Sequence, residues 1–284
     1  MSRSATNSPV TLTVLAFSGV CTLAVFKYLK GQYRSSTEIE DEDAHQLQSG
    51  CSPQDVLQLI QKRRSIFPKQ YTGNPLPRQM IQQLLEAARW APSHHLTEPW
   101  HFVVFESDDA KTKLGSFLAQ RYKVESQAKD KFSQAKYDKK LKNAQKASHV
   151  VSIGVRLNGK CPVVEEICSV SMAVQNMLLV AAAYDIGAYW SSSGVYDPTV
   201  EKTKVLSSSS KMIVNPPELD EFLNYPSGAS AGDETTASSI EYLCLGWMFV
   251  GEFYDPNETN ASKRKKWPTS RRKSLEEDNR VEWK

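Results

Sequence analysis

The stretch from Ile167 to Asp185, ICSVSMAVQNMLLVAAAYD, constrains the fold more than any other part of the chain. Its side chains are apolar on nearly every face at helical spacing, which marks a helix buried in a core. The helix is expected over Glu165 to Asp185. Apolar runs of strand length lie on either side of it, HVVSIGV (149–155) and YLCLGWMFVG (242–251). The first is apolar enough to be a central strand.

Upstream, Ser52-Pro53 followed by Asp55 is a helix start, with a capping serine, proline at the first helical position and an acid in the first turn. Val56, Leu57 and Ile60 form its apolar stripe. A second helix follows Pro77, with Met80, Ile81, Leu84, Leu85 and Ala88 at helical spacing, and stops at Ala91-Pro92. WHFVVFE (100–106) is a strand, residues 108–147 are charged and weakly helical, and AYWSSS from Ala188 is another strand. A short helix is expected after Pro198. Residues 207–239, rich in Ser, Pro, Gly and Thr, have no periodic pattern and are expected to form a long surface loop. Strands and helices mix without strict alternation, which predicts an α+β domain with a mixed sheet rather than a doubly wound parallel one.

The domain is expected over 52–284. Before it, 31–51 is a polar, acidic linker, and Val10–Phe26 is mostly apolar with no charge from Ser4 onward. Residues 1–30 are expected to be a single-pass membrane anchor, with a cleaved signal or an organelle-targeting leader as the alternatives. Positive charge is heavier after the apolar stretch (Lys27, Lys30, Arg34) than before it (Arg3), so a spanning segment would leave the main domain in the cytosol. The net charge of +3 on 284 residues gives no reason to expect a nucleic-acid partner.

Several chemistries lack their signatures. No GxGxxG follows a strand, and there is no phosphate loop, GxSxG elbow or HExxH. The five cysteines form no CxxC, and Cys161 and Cys168 are expected to be reduced thiols that could share a helix face. His94, His95 and His101 have no acidic or cysteine ligand at a metal-binding spacing, and no metal site is expected.

Three local features suit a flavin phosphate site. Arg63-Arg64-Ser65, at the end of the first helix, offers forked donors that match phosphate oxygens and one hydroxyl. A basic pair there also simply favours the helix dipole. APSHHLTEPW (91–100) is a proline-bounded loop with free polar groups that can bond the edge of a planar ring, or merely connect helix to strand. DIGAYWSSSG (185–194) leaves the buried helix and presents an aromatic residue and three hydroxyls.

In this order, the three features resemble the nitroreductase family. The opening RRSIFPKQYTGNPLPRQMIQQLLEAARWAPSHHLTEPWHFVVF resembles the family's Arg-x-Ser turn, Pro-begun helix ending Ala-Pro-Ser, and Pro-Trp-x-Phe-x-Val strand. SMAVQNMLLVAAAYDIGAYW resembles its central helix, and TSRRKSLEEDNRVEW its basic C-terminal ending. PSHH and YWSSSG look most like the small bacterial nitroreductases of the YdjA type. The resemblance implies a mixed α+β fold in a domain-swapped homodimer, with one FMN at each subunit interface. By the same resemblance Arg63, Arg64 and Ser65 would hold the phosphate and ribityl chain, and Arg272 would reach a phosphate. Ser93, His94 and Glu98 would lie along the flavin, and Trp190, Ser191 and Ser192 would line its pyrimidine side or ring face. Ligands would come from both subunits. Glu98 stands where many relatives carry a neutral Asn or Gln, and Ser191 where the nearest carry a cation.

The implied activity is ping-pong electron transfer from NAD(P)H through FMN to an electron-poor acceptor such as a nitroaromatic, a quinone or free flavin, with no side chain assigned as a catalytic acid or base. One rival is a membrane-anchored reductive dehalogenase of the iodotyrosine deiodinase type, which shares the loop Thr97-Glu98-Pro99-Trp100 and grips a zwitterion with a charged lid. Region 117–142 holds Tyr122, Glu125 and several lysines. The other rival is a non-catalytic flavin-binding or membrane interaction protein.

Overall fold

A computed structural model of the chain describes residues 52–157, 159–195, 215–225, 241–253, 266–270 and 272. The apolar N-terminus, the acidic linker and the helix expected after Pro198 lie outside the described residues.

The elements run α1 (Pro53–Lys62), α2 (Arg78–Arg89), β1 (Trp100–Phe105), α3 (Asp108–Gln127), α4 (Gln134–Lys146), β2 (His149–Leu157), α5 (Val163–Ala183), β3 (Ile186–Ser191), α6 (Pro217–Leu223) and β4 (Glu241–Glu252). The strands form one sheet in the order β1-β2-β4-β3. All three pairings are antiparallel, so the parallel pairing of the expected mixed sheet is not found among the described strands.

Alternation along the two central strands divides the core. Val151, Ile153 and Val155 of β2 and Leu243, Met248 and Val250 of β4 face α2 and α5, where they meet Leu84, Val170, Val174 and Met177. Val150, Cys244, Trp247 and Phe249 face the other way, onto Leu114 and Leu118 of α3 and Ala144 of α4. Helices thus cover both faces of the sheet. α5 is the core helix that its composition predicts. It is also long and apolar enough to cross a membrane, but Val170, Ala173, Val174, Met177 and Ala181 are buried in this core. Cys161 lies before the start of α5, so it does not share a helix face with the exposed Cys168.

Pro217–Leu223, inside the stretch expected to be a loop, is helical. Leu219 and Leu223 are buried, and Phe222 stacks on Phe117 with ring centroids 4.4 Å apart. Just before the helix, the buried Asn215 donates to Asp220 (2.6 Å) and to the carbonyl of Tyr242 (2.8 Å), and accepts from the Cys244 amide (2.9 Å). This ties α6 to the edge of β4.

β4 carries the one irregularity that shapes the site. Ile153 pairs with Gly246 but Gly154 with Cys244, leaving Leu245 as a bulge. The indole N–H of Trp190 takes up the freed carbonyl of Leu245 at 3.1 Å. Gly246 sits at φ +137°, and a Cβ there would lie 2.3 Å from the carbonyl oxygen of Ser191. Only glycine lets β3 and β4 approach this closely.

Candidate functional site

The turn after α1 is held by one buried side chain. Tyr71 lies across the facing glycines Gly187 and Gly251, where an added Cβ would come within 2.6 and 2.4 Å of its ring. Its hydroxyl is 2.9 Å from the carbonyls of both Ile66 and Phe249. Ile66 is itself buried, and its amide donates to the carbonyl of Ala188 at 2.9 Å. Arg63, Arg64 and Ser65 are thereby fixed beside the start of β3.

The C-terminal segment reaches the same place. Trp267 donates its indole N–H to the carbonyl of Lys62 at 2.6 Å and packs edge-on against Phe253. This delivers Pro268, Thr269, Ser270 and Arg272 to a cavity of about 770 Å³ shared with Arg63, Arg64, Ser65, Phe67, Lys69 and Gln70. Among the described residues, the wall contains three guanidinium groups, one ammonium and three hydroxyls, and no carboxylate. Burial, then the neighbouring Arg272 and Arg64, push the Arg63 pKa down from the usual arginine value. Arg64 turns Nη1 onto the carbonyl of Arg63 (2.7 Å), while its Nε is buried without a hydrogen-bond partner among the described residues. Clustered cations and an orphaned donor are what a phosphate group satisfies, so these residues fit the phosphate end of FMN.

The other expected residues are not in this cavity. Ser93 and His94 line a shallow depression with Pro92, Glu165 and Cys168. Their loop is strained, with His95, Leu96 and Glu98 at φ 51°, 52° and 44°. The Glu98 amide donates to Ser93 Oγ at 3.3 Å, and the exposed carboxylate of Glu98 acts on Arg89. His94 Nε2 is 3.4 Å from the Glu165 carboxylate. His101 packs its ring edge-on against Tyr225 and Tyr242, which stack on each other.

On β3, Trp190 turns into the core beside α5, while Ser191 points the other way into a second cavity of about 390 Å³. That cavity joins the arginine pocket through Phe67 and Lys69, which line both. Neither of these two cavities is lined by Trp190 or Ser192. Lys69, Gln70, Thr269 and Ser270 belong to the arginine pocket without having been singled out from the sequence. A lysine and three uncharged polar residues in connecting segments carry no motif.

The profile of the Nitroreductase family matches residues 60–206, just over half of the chain, spanning both the Arg63–Ser65 turn and β3. The chain belongs to the nitroreductase family. The coarse function that goes with this is that of a flavin-dependent oxidoreductase. A candidate NAD(P)H nitroreductase of Bacillus subtilis, YfhC, is 29% identical over 156 residues, which cover 51% of this chain and 73% of YfhC. Rat iodotyrosine deiodinase 1 is 35% identical over 71 residues, 25% of this chain and 24% of the deiodinase. Among solved structures, a candidate nitroreductase from Desulfovibrio desulfuricans in complex with FMN is 21% identical with a TM-score of 0.47, over 80% of this chain and 94% of that one.

Proposed function

We propose that this nitroreductase-family protein carries electrons from NAD(P)H, by way of bound FMN, to an electron-poor acceptor such as a nitroaromatic or a quinone, in a ping-pong cycle. The observation that carries the reading is the cationic pocket of Arg63, Arg64, Ser65 and Arg272, which has no carboxylate among its described residues. FMN, when bound, supplies the two-electron redox chemistry.

The residues' own work is to bind and orient. Arg63, Arg64 and Arg272 neutralise the phosphate, and the Ser65 hydroxyl adds a donor to it or to the ribityl chain. Trp190, Ser191 and Ser192 line the ring at the end of β3, the first by its backbone, since its indole is engaged elsewhere. Ser93, His94 and Glu98 reach the flavin edge from the second subunit of a homodimer. Two features support that assignment. The Ser93–Glu98 loop holds three left-handed residues, and the apolar Leu96 and Trp90 beside it are 86% and 70% exposed. Donors near the ring carbonyls favour the negative charge that arises there on reduction. An apolar anchor within residues 1–30 would keep the cycle at a membrane surface, with the domain in the cytosol.

The first test is spectroscopic. Purified protein should be yellow, release FMN on denaturation and bleach when NADH or NADPH is added without oxygen. Arg63→Ala and Arg272→Ala should each weaken FMN binding by roughly tenfold or more, the worth of about 1.5–3 kcal/mol for a hydrogen bond to a charged group. A colourless protein that neither takes up FMN nor gains thermal stability from it removes this reading.

A further inference from the structure

The second cavity has a wall that electron transfer alone does not explain. Lys69, Lys136, Lys139 and Lys140 line it together with Tyr122 and Ser191, and among the described residues no carboxylate does. None of the four lysines forms an ion pair among the described residues, and Glu125 acts on Lys140 only at longer range. Lys136 and Lys139 are exposed and would suit any solvated helix face. Lys140 would not. It is half-buried, and its Nζ donates to Ser193 Oγ at 2.5 Å. Burial pushes its pKa down and Lys139 adds to this, against the pull of Glu125.

Holding a desolvated ammonium among like charges costs free energy that a bound anion recovers. The rest of the wall is aromatic. Phe67 and Tyr189 lie with ring centroids 4.6 Å apart and planes tilted by 50°. About 390 Å³ suits a molecule of one or two rings rather than a whole dinucleotide. The cavity also adjoins the arginine pocket through Phe67 and Lys69.

We propose that this cavity is the acceptor subsite and that it selects aromatic acceptors bearing a net negative charge, such as a carboxylate or sulfonate. The proposal rests on the flavin oxidoreductase reading. It separates the protein from one that grips an amino-acid zwitterion, because a ligand ammonium would meet lysines and hydroxyls with no carboxylate among the described residues of the wall. With a nitroaromatic carboxylate the turnover balances as ArNO2 + NAD(P)H + H+ → ArNO + NAD(P)+ + H2O. One N–O bond breaks, and the oxygen leaves as water.

The test uses the full chain, with and without FMN, titrated with 4-nitrobenzoate, 4-nitrobenzamide and 4-nitrophenylalanine while tryptophan fluorescence is followed. Nitrobenzoate should bind at least tenfold more tightly than the other two, and salt should shrink that ratio. The surface double variant Lys136→Gln/Lys139→Gln should cut the ratio at least threefold. It should also raise KM for nitrobenzoate more than for nitrobenzamide. Lys140→Gln should cut the ratio further wherever its thermal melt shows it folded. Nitrobenzoate binding that persists with the same lysine dependence in protein unable to hold FMN keeps the anion site and discards the flavin reading. Equal binding of nitrobenzoate and nitrobenzamide overturns the proposal, as does a preference that the lysine variants leave intact. It also fails if those variants raise KM only for NADPH, which would assign the lysines to the dinucleotide's phosphate.

Discussion

At the scale of single residues, the arginine pocket depends on side chains that never touch it. Tyr71 fills the space above Gly187 and Gly251 and holds the carbonyl of Ile66, one residue beyond Ser65. Tyr71→Phe keeps the ring and removes the hydroxyl. It should cost about 1–2 kcal/mol of stability, the worth of one buried hydrogen bond plus a carbonyl left short of a partner. FMN affinity should fall with it, because the Arg63–Ser65 turn loses its brace. A melt and a flavin titration on the same sample would check both, and an unchanged FMN Kd would show that the turn needs no such support. Gly246→Ala is more severe. Its Cβ would strike the Ser191 carbonyl at a φ that L residues rarely adopt, so a loss of roughly 2–3 kcal/mol or failure to fold is expected in thermal unfolding.

At the scale of elements, regular patterns were readable and irregular ones were not. The all-round apolar character of Ile167–Asp185 and the apolar runs around Val151 and Met248 announced the helix and strands that form the core. The break at Ala91-Pro92 set the end of α2. Helix α6 was hidden because PELDEFL is only seven residues long and sits in a stretch dominated by Ser, Gly and Pro. Its burial comes from Phe117, Phe105 and Asn215, contacts that no local pattern encodes. The four-lysine cavity was equally invisible, since it forms only when α4 folds back against the turn after α1 and the end of β3. Leu219→Ala should cost about 2–4 kcal/mol, as a fully buried leucine does, read as a lowered denaturation midpoint.

The junction of α4 and β2 also sets a pH limit. Burial pushes the pKa of His149 below the ordinary histidine value of 6.5, with Glu106 opposing the shift and Lys111 and Arg78 reinforcing it. A lowered histidine pKa means that the unfolded chain binds the proton more readily. Its contribution to stability is therefore complete above about pH 6.5 and declines as pH falls toward the folded value. His101, lowered chiefly by burial and then by Arg156, acts in the same direction. Unfolding midpoints measured from pH 7.5 to 5 should fall, and His149→Gln should flatten the acid limb. Midpoints that rise toward pH 5 would contradict this assignment.

At the scale of the whole molecule, the chain leaves apolar surface that its own core does not cover. Val56, Leu57 and Ile60 of α1 are exposed, as are Val164 and Met172 of α5 and Leu96 of the strained loop. If these surfaces meet in a homodimer, sedimentation should give twice the chain mass. Leu57→Ser/Ile60→Ser should shift the protein toward monomer and lower FMN retention together. Dissociation with full FMN retention would mean that a single chain completes the site. A consequence of a different kind follows from the bond between Trp267 and the carbonyl of Lys62, which lies 205 residues earlier in the chain. Arg63 therefore leaves the ribosome well before the segment carrying Arg272. Chains that stop before Trp267 would lack that arm of the pocket, so flavin loading, if FMN binds there as proposed, would also report that translation has run through it.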